Sequence, residues 1–239
     1  MRNILILGSS PNVTMARDWP RAQFESIVAI NNAHAVRDDW DVMIHPYDFP
    51  ADRVPVARAN QRIVTQTTFV PAQNAYGGFV YAGATMAFTA AYWALHDLQP
   101  RVIAMFGCDM VYPARGPTHF YGTGTPDPLR PDITLQSLEA KSARLMILAA
   151  MQGCAMVNLS TAPSRLTFPR ARRETLAGQR PVSFNDRLAA QALACETELN
   201  YIILSGRYWE DLSQFDAAAL RDLDALWLAA AGVDLRKVA

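Results

Sequence analysis

The sequence predicts an α/β protein: a doubly wound, mostly parallel, Rossmann-like sheet with a helical C-terminal extension. Three observations lead there. Apolar runs such as NILIL and RVIAMF are continuous instead of alternating, as strands buried on both faces of a sheet must be. Helical stretches separate such runs at least four times, the pattern of strands joined by crossovers. Beyond Pro169 the strand pattern stops and leucines recur at helical spacing.

The first strand is Asn3 to Leu7, closed by the turn Gly8-Ser9-Ser10-Pro11-Asn12, with a helix expected just after it. Ser26 to Ile30 is a second strand, closed by Asn31-Asn32, and Trp40 to Ile44 a third, closed by His45-Pro46. Arg62 to Thr65 is a weaker fourth. Gly83 to His96 is rich in alanine with large residues at Met86, Tyr92, Trp93 and Leu95, which suits a helix lying close on a sheet. Arg101 to Phe106 is a strand ending in Gly107-Cys108-Asp109. Val111 to Asp132 holds five prolines and three glycines, so it predicts a long irregular loop, a kind of segment that tends to carry function. Thr134 to Met151 reads as an amphipathic helix and Ala155 to Leu159 as the last good strand. Residues 1–169 therefore form the expected nucleotide-binding domain. Residues 170–239 form a cap or oligomerisation extension of two or three helices, with one possible strand at Tyr201 to Leu204.

Composition bounds the function. The 239 residues carry 22 Lys+Arg against 22 Asp+Glu, and 51% are hydrophobic, which excludes a disordered chain. Zero net charge leaves no diffuse basic field, so a nucleic-acid or anionic-membrane partner is not expected and any bound anion must be gripped locally. All the basic residues except Lys141 and Lys237 are arginines, whose planar fork suits phosphate and carboxylate. Cys108, Cys154 and Cys195 lie far apart without metal-ligand spacing, as free thiols of a reducing compartment do. The opening MRNILILGSS is too short in its apolar run for a signal-peptide core, and Ala82 to Leu95 is too short for a membrane span. A cytoplasmic protein with no integral membrane segment is expected.

Ligands of such a sheet bind beyond the carboxyl ends of its strands. The residues there are Gly8, Ser9, Ser10, Asn31, His45, Asp109, Asn158 and Ser160, mostly small or uncharged polar groups able to hydrogen-bond a ribose and a base. The first turn offers backbone N–H groups to a phosphate, or its serines simply cap the following helix. Asn31 either contacts a ligand or tolerates a left-handed turn, and Asp109 either binds or caps. His119, within THFYG in the long loop, suits a general base. The alternative for it is an exposed loop histidine without a role. No HExxH and no carboxylate cluster appears, so no metal site is expected.

Taken together, ILILGSSPN, VAINN, VMIHP, YAGATMAFTAAYWAL and RVIAMFGCDMVY resemble, in order and spacing, the bacterial sialyltransferases of glycosyltransferase family 42. They also resemble the broader group of 6-hydroxymethylpterin diphosphokinase-like proteins. The resemblance spans about Met1 to Leu166. The family's Gly-Asn-Gly-Pro-Ser turn at the nucleotide phosphate matches Gly8 to Asn12, and its asparagine after the second strand matches Asn31. Its Asn-Pro matches His45-Pro46, its Thr-Ser-Gly matches Tyr81-Ala82-Gly83, and its Gly-Ile-Asp-Phe-Tyr matches Gly107 to Met110 with Tyr112 displaced by one. Its Pro-x-Ser-x-Leu turn resembles Pro163 to Leu166. Serine here replaces the second glycine, His45 the ribose-side asparagine, and Tyr-Ala the Thr-Ser.

The resemblance implies transfer of a sugar from a nucleotide-activated donor of CMP-sialic-acid type to a glycan or small-molecule acceptor, without a metal cofactor. His119 would be the base, and Tyr112 or Tyr121 would donate to the leaving phosphate. Ala82 and Gly83 join the nucleotide-binding set. Arg115, Arg130 and Arg165 fall in segments expected to border the pocket and are candidate anion contacts. One rival is magnesium-dependent diphosphoryl transfer from ATP to a small alcohol, with Asp109 and Asp48 or Asp127 holding the ion. Another is a catalytically idle nucleotide- or glycan-binding module that assembles as a homo-oligomer through the helical tail.

Overall fold

The computed structural model describes residues 2–125 and 127–233. Lys237 and the end of the 170–239 extension lie outside the described residues. Six parallel strands form one sheet: β1 (Asn3–Leu7), β2 (Ser26–Ile30), β3 (Val42–Ile44), β4 (Arg62–Val64), β5 (Val102–Phe106) and β6 (Ala155–Asn158). Their spatial order is β4-β3-β2-β1-β5-β6, so the chain winds outward from β1 in one direction and then returns to build β5 and β6 on the other side. This is the doubly wound topology, with its switch point between β1 and β5.

Each strand alternates its apolar residues between two cores, which is why the runs contain no polar interruptions. Ile4, Ile6, Val28, Ile30, Ile103 and Met105 face one core, covered by α1 (Gln66–Asn74), α3 (Met86–Asp97) and α4 (Leu138–Met151). Leu5, Leu7, Ile27, Ala29, Ala104 and Phe106 face the other. No α-helix covers that second face among the described residues. The links between β1 and β4 are short 3₁₀ segments instead, including Pro11–Asp18 where a full helix was expected. Prolines at positions 11, 20, 46, 50 and 55 explain this for the first and third links, because each removes a backbone donor and fixes φ, and the first link delivers Val13 and Ala16 to the sheet. The proline-free β2–β3 link turns through a 3₁₀ segment at Asn31–Ala35 and delivers Val36 and Trp40 to the same core.

The alanine-rich helix does lie close on the sheet. Thr85 caps α3 by accepting from Phe88 N, and Ser137 caps α4 by accepting from Ala140 N. A short helix α2 (Phe79–Ala82) precedes α3. The extension contributes α5 (Asp186–Leu199) and α6 (Ala217–Ala230). Tyr201 to Leu204, a candidate strand by its composition, pairs with no strand.

The extension shares a core with the sheet domain: Val80, Tyr81 and Ile147 pack with Ala189, Tyr208, Leu223 and Trp227. Two buried ion pairs pin it to α4, Arg144–Glu196 and Lys141–Asp224, each closing at 2.7 Å. No helix of the described residues is long and apolar enough to cross a membrane. The three cysteines are free.

Candidate functional site

The register that places Leu7 beside Phe106 also places Gly8 beside Gly107, at the carboxyl end of the switch point. Gly8 N donates to Phe106 O at 2.8 Å and Ser10 N to Gly107 O at 3.0 Å. A Cβ on Gly8 would stand 2.2 Å from Gly107 O, so no residue with a side chain fits there. Glycine is thus required by the close approach of two backbones. Ser10 makes no side-chain cap to the segment that follows.

A polar network crosses the ends of β5 and β6. Asp109 Oδ1 accepts from Asn158 Nδ2 at 3.0 Å, and Asn158 Oδ1 accepts from Ser160 N at 2.9 Å. Ser160 Oγ in turn accepts from Asn12 Nδ2 at 3.1 Å. Two acceptors in this network are buried without partners, Asp109 Oδ2 and Asn12 Oδ1. Asp109 is only 3% exposed, and leaving such a group unpaired costs about 1–3 kcal/mol, more for a charge. A ligand bearing hydroxyl or amino donors would recover that cost.

Arg170 closes this side. It donates to the carbonyls of Ser160 and Ala162 and comes within 3.8 Å of Asp109 Oδ1. Its side chain remains 44% exposed, so the guanidinium is accessible to an anion.

The long loop brings His119 to the same place. Phe120 N donates to Ser9 O at 2.9 Å, and His119 and Gly122 exchange backbone bonds in a tight hairpin. The imidazole lies stacked 5.0 Å from Tyr121 and tilted 5.9 Å from Tyr112. It is buried at 7% exposure, and burial lowers its pKa from the ordinary histidine value. Burial also pushes the Tyr112 hydroxyl above its usual value, reinforced by the Asp127 carboxylate, so it stays a proton donor at neutral pH.

A cleft of about 810 Å³ opens along the same edge, beyond the carboxyl ends of β2, β3 and β4. Asn31 lines it in the left-handed region, at φ 51°, with a buried, unpartnered Oδ1. The backbone and binding readings of this residue are thus compatible. His45 stands beside it, its Nδ1 donating to Pro46 O at 2.8 Å. Tyr47 and Trp209 form an exposed aromatic pair in the cleft, 6.3 Å between centroids, with Trp209 supplied by the C-terminal extension.

The remaining expected residues are placed less uniformly. The cleft wall is Ala84-Thr85-Met86, whereas Gly83 packs against α4, where a Cβ would stand 2.9 Å from Lys141 Cγ; Ala82 is fully buried in the core. Arg130 lines the cleft, but its charge is spent on Asp127 at 2.7 Å and Asp132 at 3.0 Å. Arg165 is held bidentately by Glu139 at 2.7 and 2.9 Å. Arg115 is exposed on the long loop. The three arginines therefore do not converge.

Of the carboxylates weighed for a magnesium ion, Asp109 sits in the Asn158 network while Asp48 and Asp127 line the cleft. Among the described residues no three His, Cys, Asp or Glu side chains gather in one place.

Asn12, Thr118 and Arg170 belong to the site and were not singled out from the sequence. Asn12 closes the first turn and was read as part of it, but not as a site residue in its own right. Arg170 reaches the edge because Ala171 N donates to Asn158 O, a return of the chain that no local pattern signals.

The fold and edge define a doubly wound α/β protein with a polar carboxyl-edge crevice. No family model, curated protein or solved structure matches the chain.

Proposed function

We propose that the protein transfers a sugar from a nucleotide-activated donor to an acceptor hydroxyl, with a CMP-linked acidic sugar the first donor to try. The observation that carries this reading is the pairing, on the two sides of the Ser9 turn, of a buried unpartnered carboxylate oxygen on Asp109 with a buried histidine held neutral by its surroundings. The first suits donor groups of a ribose or base. The second suits a general base.

In this reading the donor phosphate lies beside the Gly8–Ser10 turn and meets the exposed Arg170 guanidinium, since the Gly8 and Ser10 amides expected to cradle it donate to Phe106 O and Gly107 O instead. His119 takes the proton of the acceptor hydroxyl as its oxygen bonds to the anomeric carbon. The bond from that carbon to the phosphate oxygen breaks, its electron pair passes to the nucleotide, and Tyr112 and Tyr121 donate hydrogen bonds to the charge that develops. The cleft receives the acceptor, with Tyr47 and Trp209 offering flat apolar faces to a sugar ring.

Magnesium-dependent diphosphoryl transfer from ATP draws less support. It needs more than one carboxylate free for the ion, and Asp127 is neutralised by Arg130, while Asp48 lines the cleft and Asp109 stands in the Asn158 network.

The test is transfer from CMP-, UDP- and GDP-linked sugars, followed against pH. A base must be neutral to act, and burial lowers the His119 pKa, so the neutral form persists to lower pH than in an ordinary histidine. The acidic limb of kcat/KM is therefore expected below about 6.5. A limb with its midpoint above that value, or release of AMP from ATP that requires magnesium, would replace this reading.

A further inference from the structure

We infer that Thr118 is a positioning residue that locks His119 in the tautomer carrying its proton on Nδ1, leaving Nε2 as the basic nitrogen. The catalytic use of that lock rests on the role proposed for His119; the lock itself does not.

Thr118 Oγ1 has a single proton and two lone pairs. Three groups surround it: Gly124 N at 2.8 Å, Gly124 O at 3.0 Å and His119 Nδ1 at 2.8 Å. The amide N–H of Gly124 can only donate and its carbonyl can only accept. If the hydroxyl proton goes to Gly124 O, both lone pairs are taken by donors, one from Gly124 N–H and one from Nδ1–H, and every group is satisfied. In the other tautomer the hydroxyl proton must turn to Nδ1. Two oxygens would then face each other at 3.0 Å with no proton between them, and the Gly124 carbonyl would lose its partner.

Packing holds the ring at this contact. A Cβ on Gly124 would stand 3.2 Å from His119 Nδ1 and 3.3 Å from Cε1, so the glycine backbone lies flush against that edge. Tyr121 stacks on the imidazole face. Nε2 makes no hydrogen bond to the described residues, so it is the nitrogen left for a substrate proton. Fixing the tautomer of a catalytic histidine through its other nitrogen is a general means of directing it.

Two-bond ¹H–¹⁵N correlation spectra of the histidine-labelled protein at pH 8 test this without any substrate. The four histidines are separated by His119→Ala, which removes one signal set. The wild type is expected to show the His119 Nδ1 protonated and Nε2 bare. Thr118→Val, and Thr118→Ala should the valine fold poorly, are expected to shift the ring toward a mixture of tautomers, and Thr118→Ser to restore the original state. A wild-type His119 protonated on Nε2 overturns the lock, as does an unchanged tautomer in the folded valine and alanine variants.

Kinetics separate the lock from its use. With a turning-over donor, Thr118→Val is expected to lower kcat roughly tenfold or more with little change in donor KM, and Thr118→Ser to recover most of it. An unchanged kcat in Thr118→Val overturns the positioning role. The expected tautomer in a protein that transfers no sugar supports the lock and sinks the transferase reading alone.

Discussion

Replacing His119 by alanine is expected to lower the rate of sugar transfer roughly 10²- to 10⁴-fold while leaving nucleotide affinity largely intact. The split between rate and binding follows from placement. The imidazole bonds to Thr118 and packs between Tyr112 and Tyr121, whereas the Asp109, Asn12 and Ser160 network across the Ser9 turn is built without it. Initial rates at saturating donor, with donor affinity measured by calorimetry, check the two halves separately. Transfer by His119→Ala at wild-type rate would remove the base from the account. Nucleotide binding by the wild type with no transfer to any acceptor would favour an idle binding module.

Glu196→Ala is expected to destabilise the protein by about 3–5 kcal/mol, because it leaves the Arg144 guanidinium buried without a counter-charge. Arg144 is 1% exposed and donates to both carboxylate oxygens of Glu196 at 2.7 Å. The same carboxylate accepts from Trp227 Nε1 at 2.9 Å, so one truncation orphans groups on both α4 and α6. Tyr92 and the Tyr76 carbonyl remain as Arg144 partners, but neither carries charge at neutral pH. The exposed pair Arg58–Asp38 is the control. Asp38→Ala should change stability by no more than about 1 kcal/mol, since exposed pairs are screened and cost side-chain entropy to hold. Urea unfolding of both variants checks the contrast. A loss near that of Asp38→Ala would mean that the extension is not fastened to the sheet domain through this pair.

The strands were legible because a buried parallel strand has to be apolar along its whole length, and Asn3 to Leu7 or Val102 to Phe106 can be little else. Their order follows from chain direction once the switch point is placed. The crossovers were harder to read. A helix was expected just after β1 although Pro11 and Pro20 stand in that link, and compact 3₁₀ segments leave no periodic signal to find in advance. Helix α1 was missed because Pro71 lies inside it, with Thr67, Thr68 and Val70 beside it, all poor helix formers overridden by burial of Phe69 and Ala72. Tyr201 to Leu204 misled for the converse reason: Tyr201 packs on Tyr81 and Phe215 and Leu204 is exposed, and neither pairs in the sheet.

The site divides along the same line. Gly8, Asp109, Asn158 and Ser160 end neighbouring strands, so topology alone brings them together. Arg130 and Arg165 were drawn from a loop and a turn, and what they meet was set by tertiary packing: Glu139 lies on the first turn of α4, and nothing local to Arg165 announces it. Thr118 and Arg170 depend on the folded path of a loop and of a chain return, which sequence spacing does not encode.

The dependence of nucleotide binding at the switch point on Asp109 is the sharpest consequence of the proposed function. Asp109→Asn tests it most directly, because asparagine keeps the acceptor facing Asn158 and turns the unpartnered oxygen into an amino donor. Calorimetric titration of CMP, UDP, GDP and ATP, with and without magnesium, into both proteins gives the answer. CMP, or another nucleotide without magnesium, is expected to bind the wild type and to bind Asp109→Asn roughly 10- to 100-fold more weakly, the worth of one hydrogen bond to a charged group. Binding of ATP alone and only with magnesium, or equal affinity in the two proteins, would contradict it.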